Sequence, residues 1–237
     1  MRYRNDMSPE PKSHIKTLMR IGYDFNSAIA DIIDNSITAK AKKINIICPP
    51  ETDNPFLTIV DNGIGMEPEE LIQNMRIGCK DPNQKRDAGD LGRFGSGMKT
   101  ASFSHARRLT VISHKKGKKI AAACWDIDEI EEKNAWCLRE LNEKDIKDLE
   151  HLDKELIKGV GTQLIWEKIK KFEETDHNNS KNSIETSMVD LNKYLALHFH
   201  KFLQGPNKIN IYVQKLQVEP VDPFLTTKNG YQEGPTD

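Results

Sequence analysis

Apolar residues recur every three or four positions in two early stretches of the chain. In "SPEPKSHIKTLMRIG", residues 8–22, that pattern predicts a capped first helix ending at Gly22. In "FNSAIADIIDNSITAKA", Ile29, Ile32, Ile33 and Ile37 fall at helical spacing and predict the clearest helix of all. "KKINIIC" and "FLTIV" then read as strands, divided by the polar turn "PPETDNP". A helix with acidic residues in its first turn follows, from about Pro68 to Met75. "MKTASFSHA" reads as another helix, and "RRLTVISHKKGKKIAAACWDI" as a hairpin turning at "HKKGKK". Residues 128–155 are heavily charged and are expected to be helical at the surface. "GTQLIWEKI" has the continuous apolar character of a buried strand, and "DHNNSKNS" reads as a loop. A long helix, "IETSMVDLNKYLALHFHKFL", and a last hairpin, "KINIYVQKLQVEP", complete the periodic part.

One segment has no such period. "IGCKDPNQKRDAGDLGRFGSG" is long, polar and rich in glycine, and a compact domain rarely carries such a loop without a use for it. The stretch from "VDPFLTTKNGYQEGPTD" onward reads as a linker. The expected organisation is one domain over 1–217 and a linker over 218–237, as in a domain excised from a longer protein.

Bulk composition narrows this picture only modestly. With 237 residues, 37% apolar and 30% charged, the chain suits one soluble core without a disorder signature. A net charge of −1 argues against a domain built mainly to grip nucleic acid. Cys48, Cys79, Cys124 and Cys137 show neither C-x-x-C pairing nor metal-type spacing, which points to reduced thiols and a cytoplasmic setting. No apolar run is long enough to span a bilayer, and the first residues lack the apolar core of a secretory signal.

Four stretches could carry chemistry. On the second helix, a step of about 100° per residue places Ser27, Asp31, Asp34, Asn35 and Thr38 in one sector, opposite the isoleucines. A merely solvated face favours Lys, Glu, Arg and Gln; this one uses short, poor helix formers. An Asn carbonyl suits a Mg²⁺ ion already shared with phosphates, and an acidic neighbour can accept a proton from a water attacking that phosphate. The solvated-face and binding-face readings weigh evenly on the helix alone.

"DNGIGM", residues 61–66, ends the second strand with a carboxylate. As a turn, Asn-Gly would be ordinary. As a site, Asp61 could choose adenine over guanine, because adenine offers an amino donor where guanine offers an oxygen. Gly63 and Gly65 would let backbone approach a flat ring. The third stretch, "GRFGSGMKT", offers backbone N–H groups and a helix start to an anion. It is not a P-loop, since Met98 separates Gly97 from Lys99, and Thr100 breaks the dinucleotide G-x-G-x-x-G pattern. Lys99 meets phosphate or points to water with equal weight. In the fourth, "GVGTQLIW", Thr162 is structural on its own showing, or shares a hydrogen bond with Asp61 and a base.

In this order, an acid-x-x-x-Asn helix, a D-x-G-x-G strand end, a Gly-rich lid and a G-T strand resemble the GHKL ATPase superfamily: gyrase B, the large heat-shock chaperone, sensor histidine kinases and MutL. "GRFGSGMKTAS" and "VEPVDPF" are similar to the MORC-type and MutL/chaperone-like branch. The resemblance implies an α+β, two-layer sandwich of the Bergerat type, with a mixed, mostly antiparallel sheet and helices on one face. It implies an ATP site with Mg²⁺ on Asn35 and the adenine amino group on Asp61, with Gly63, Gly65 and Met66 beside it. Asn74 would lie near sugar and phosphates. Gly92, Arg93, Phe94, Gly95, Ser96, Gly97, Met98 and Lys99 would form the phosphate lid, and Thr162 would support Asp61 through water. The implied activity is ATP hydrolysis, with lid closure driving dimerisation of a larger machine and DNA or protein as its client.

One departure matters. The superfamily's general base is usually Glu, and here that position is Asp31, one methylene shorter. General base catalysis is typically worth ~10²–10⁴-fold, so slow hydrolysis is expected, or a nucleotide-gated switch with negligible turnover. Asp34 is a substitute base at a less favourable angle. Three alternatives carry less weight. His14, only 21 residues before Asn35, reads as an ordinary histidine rather than a kinase phosphoacceptor; the lysines of "HKKGKK" read as solvated rather than DNA-binding; and Trp125 and Trp136 read as core.

Overall fold

A computed structural model describes residues 9–77, 97–173 and 177–223, with side chains from 180 in the last segment. Eight strands form one mixed sheet in the order β5-β4-β3-β6-β2-β1-β7-β8. Only β1 (Lys43–Ile47) and β7 (Asn210–Val213) run parallel; every other neighbouring pair is antiparallel. The main core lies on one face of this sheet. Leu57 and Ile59 of β2 (Phe56–Asp61), Leu109 and Val111 of β3 (Ala106–His114), and Leu164 and Trp166 of β6 (Gly161–Ile169) bury against the helices there. Those helices include α1 (Pro11–Leu18), α2 (Phe25–Thr38), α3 (Pro68–Met75), α4 (Gly97–His105) and α9 (His177–His198). The fold is the α+β sandwich expected of a Bergerat domain.

The opposite face is not bare. Alternate residues of the same strands, Ile112 and Ile165, join Ala122 of β4 (Ala121–Asp126), Ile146 and Leu156 in a second, smaller cluster. Ile146 and Leu156 come from α6 (Glu143–Lys147) and α7 (Lys154–Lys158), so helices on one face describes only the main layer. Residues 128–155 correspondingly depart from the all-helical expectation. After α5 (Ile127–Lys133) they contain β5 (Leu138–Leu141), an edge strand paired with β4. Its Arg139 and Glu140 are exposed, and charges of that kind protect a sheet edge while hiding its strand character.

Two further expectations change. From His177 onward "DHNNSKNS" is not a loop but the first part of α9. There Ser180 donates to the Phe172 carbonyl from a buried position, and tertiary anchoring outweighs poor propensity. Trp136 is 38% exposed, edge-on to His14 and Trp125, whereas Trp125 is buried and donates to the Met75 carbonyl. Past the last pair, β7 with β8 (Leu216–Gln217), the Val218 N–H donates to Ile211 and that of Val221 to Ala196. Among the described residues, no helix is long and apolar enough to cross a membrane.

Candidate functional site

Helix α2 is held at its start by Asp24, whose carboxylate accepts the N–H groups of Asn26 and Ser27. This fixes the residue before the cap, Tyr23, and the helix face two turns on. The Tyr23 hydroxyl donates to Asp31 Oδ2 at 2.7 Å. That bond, with burial and the carboxylate's charge, pushes the phenol up to about 12. Asn35 donates its Nδ2 to the Asp31 carbonyl at 2.9 Å, so what it presents outward is the carbonyl oxygen Oδ1. Asp34 is half-buried, and burial raises its carboxyl, opposed by His198 and reinforced by Asp31.

Asp61 ends β2 in a buried position. Its Oδ2 accepts from Ser36 at 2.9 Å and its Oδ1 from the Gly63 N–H at 2.8 Å. Burial raises its carboxyl above the ordinary 3.8, while Gly63, Ser36 and Thr162 pull the other way. Two glycines are obligatory nearby. Gly65 has φ +67, and a Cβ there would stand 2.2 Å from the His114 carbonyl oxygen. Gly161 has φ +146, and its Cβ would meet the Asp61 carbonyl oxygen at 2.0 Å. That close approach lets Thr162 pair in register with Asp61.

A hydroxyl latch ties these strands together. Ser113 of β3 accepts the Met66 N–H at 2.8 Å, lies 3.1 Å from the Gly161 carbonyl, and lies 2.9 Å from the Thr162 hydroxyl. Having one proton, Ser113 gives it to the carbonyl and accepts from Thr162. The lysine-rich turn beyond β3 is not simply solvated: Lys115 pairs with Glu67 and Glu70, and Lys118 with Glu67.

Between α2, β2, α3 and α4 lies a cavity of about 710 Å³. Asp31 and Asn35 line it from α2, Asp61 and Thr162 from the sheet, Gly65 and Met66 from the loop after β2, and Asn74 from α3. The first turn of α4 adds Gly97, Met98 and Lys99. Gly97 is close enough that a Cβ would be 3.7 Å from Asp31 Oδ2. Lys99 is only 2% exposed and donates to the Asn74 carbonyl at 2.5 Å, while Asn74 Nδ2 donates to Met66 Sδ. Gly63 sits behind Asp61, packed on Ala39, rather than on the wall. Gly92, Arg93, Phe94, Gly95 and Ser96 lie outside the described residues.

Sequence reasoning passed over Tyr23, Ser36 and Ser113, and used Gly161 only as part of the G-T motif. Ser36 falls on the apolar side of the helical wheel, where a lone serine looks like core filling. Ser113 is hidden in an otherwise apolar strand. The one signal was polarity on faces that should have been apolar.

The cavity thus has a buried acceptor at one end, an amide oxygen and carboxylate at the other, and a helix start beside them. Residues 23–159, more than half of the chain, match the histidine kinase-, DNA gyrase B- and HSP90-like ATPase family, and the chain belongs to it. It is 31% identical to "ATPase morc-1" of Caenorhabditis elegans over 91 residues, 38% of this chain and 10% of that protein. It is 29% identical to "ATPase MORC2B" of Mus musculus over 92 residues, 38% of this chain and 9% of that one. Against "Chaperone protein HtpG" of Rickettsia prowazekii the identity is 32% over 109 residues, 42% of this chain and 17% of the chaperone. The matched region thus spans under a fifth of these relatives.

Proposed function

We propose that the chain is the ATP-binding module of a larger, Mg²⁺-dependent ATPase that turns over slowly. The observation that carries this reading is the single cavity joining Asp61 on the sheet to Asp31 and Asn35 on α2. A buried carboxylate with two fixed donors has lone pairs left for the adenine amino group, and Gly65 gives the ring room. Asn74 lies where sugar and phosphates would pass. The first turn of α4 and the amine of Lys99 would receive the phosphates. Asn35 Oδ1 is a fitting oxygen for Mg²⁺, which when bound offsets triphosphate charge. Among the described residues no cluster of three His, Cys, Asp or Glu forms an all-protein cage, so the ion would rely on phosphate oxygens. Asp31 is the candidate general base. In the full-length protein, closure of the 92–99 lid on ATP would drive homodimerisation, with DNA or another protein as client.

A second reading is favoured by Asp31 itself: with the shorter acid, the module acts as a nucleotide-gated switch with negligible turnover. Titration with a fluorescent non-hydrolysable ATP analogue tests the site. Asp61→Asn and Asn35→Ala should weaken binding at least tenfold, and GTP should compete poorly. Equal binding by all three proteins would remove the site assignment. Steady-state ADP release then separates enzyme from switch.

A further inference from the structure

We infer that Tyr23 is a positioning residue for Asp31, fixing the carboxylate so that the shorter acid serves as the base. The inference rests on the reading of Asp31 given above. Its basis is geometric. The phenol donates to Asp31 Oδ2 at 2.7 Å across two helical turns. Tyr23 is itself immobilised: it precedes the Asp24 cap, packs partly buried against the main core, and lines the same cavity. Committing Oδ2 to Tyr23 leaves Oδ1 as the proton acceptor, in one rotamer rather than several. The carboxylate so held lies beside the first turn of α4, where a Cβ at Gly97 would stand 3.7 Å from Oδ2. Because the phenol keeps its proton at neutral pH, the direction of donation is settled, and Tyr23 acts as an anchor rather than a competing acceptor. A fixed donor compensates for the missing methylene: a short side chain reaches fewer places, and orientation decides whether the reachable one is productive.

The test compares parent, Tyr23→Phe, Asp31→Asn and the double variant of the full chain. Each is assayed for single-turnover hydrolysis with protein in excess, followed over hours, and for affinity toward the non-hydrolysable ATP analogue. Tyr23→Phe keeps the ring and its packing. It should lower the hydrolysis rate about 10- to 100-fold, the scale of a lost bond to a charged group, and leave affinity within about twofold. In the Asp31→Asn background the same change should alter the residual rate less than about twofold. Parental rate in Tyr23→Phe with Asp31→Asn inactive would overturn the inference and leave the base assignment standing. Equal losses of rate and affinity, or the same loss in both backgrounds, would make Tyr23 merely structural. Full activity in Asp31→Asn, or none in the parent, would overturn the base assignment and Tyr23's role with it.

Discussion

Ser36→Ala isolates the support of Asp61. Ser36 is 4% exposed and gives its proton to Asp61 Oδ2 at 2.9 Å; a second acceptor, the Ile32 carbonyl, lies farther off at 3.4 Å. Losing a buried hydrogen bond to a charged acceptor costs about 1.5–3 kcal/mol. Alanine returns up to about 0.5 kcal/mol as a better helix former, so the net loss should be about 1–2.5 kcal/mol. The sign of the pH dependence follows from burial. Asp61 is raised in the folded state, so its contribution to stability is greatest below the ordinary 3.8 and is lost as pH rises through the raised value. Removing Ser36 raises it further. The penalty of the variant is therefore larger at neutral than at acidic pH. Urea unfolding at an acidic and a neutral pH measures this, and titration with the ATP analogue should show weaker binding at both, more so at the acidic one. In an Asp61→Asn background the substitution should cost less. Identical destabilisation at both pH values and in both backgrounds would refute the reasoning, and would mean that the hydroxyl serves the helix through Ile32.

Gly161→Ala forces a side chain into a φ of +146 and a 2.0 Å approach to the Asp61 carbonyl, so thermal melting should show a loss of at least ~3 kcal/mol. Ultraviolet titration should find one phenol ionising near 12, absent in Tyr23→Phe; the stabilisation from its bond to Asp31 is complete below the ordinary 10 and disappears as pH rises past 12. Lys99→Met replaces a buried amine with a chain of similar length; it should keep the far-ultraviolet circular dichroism and weaken the ATP analogue about tenfold, as expected for loss of a charged donor.

What could be read in the chain, and what could not, divides along a physical line. Periodicity located α2, which buries one face against the core; short apolar runs located β2 and β6, and an acidic first turn located α3. The same patterns also brought out Asp31, Asn35 and Asp61, since short polar residues at an element's end or on a helix face stand out. β5 was missed because an edge strand is selected for charge rather than for apolar alternation. The beginning of α9 was missed because Ser180 is held by a contact eight residues away, which propensity does not see. Ser36 and Ser113 were missed for a related reason. Their partners, Asp61 and Thr162, are 25 and 49 residues distant, and only the packing of α2 on the sheet and the order of its strands bring them within a hydrogen bond.

These long-range partners also separate the two ends of the cavity. Asp61, Thr162 and Ser113 sit on β2, β6 and β3, three adjacent strands packed on the main core, with β6 and β3 covered on their other face by the smaller cluster. A change there must be absorbed by the sheet, so it should appear as altered affinity together with altered stability. Tyr23 is the residue before the cap of α2 and Gly97 opens α4, where fewer backbone bonds oppose local motion, and the Asp31 side chain, two turns into α2, faces both. A change there should alter rate with little effect on global stability. Under this division Ser36→Ala and Tyr23→Phe, which each remove one hydroxyl, should behave oppositely: the first shifts the unfolding midpoint and the affinity, the second the rate of hydrolysis. If both shift all three measurements in proportion, the cavity is one cooperative unit, and the distinction between a rigid base-reading end and an adjustable phosphate end fails.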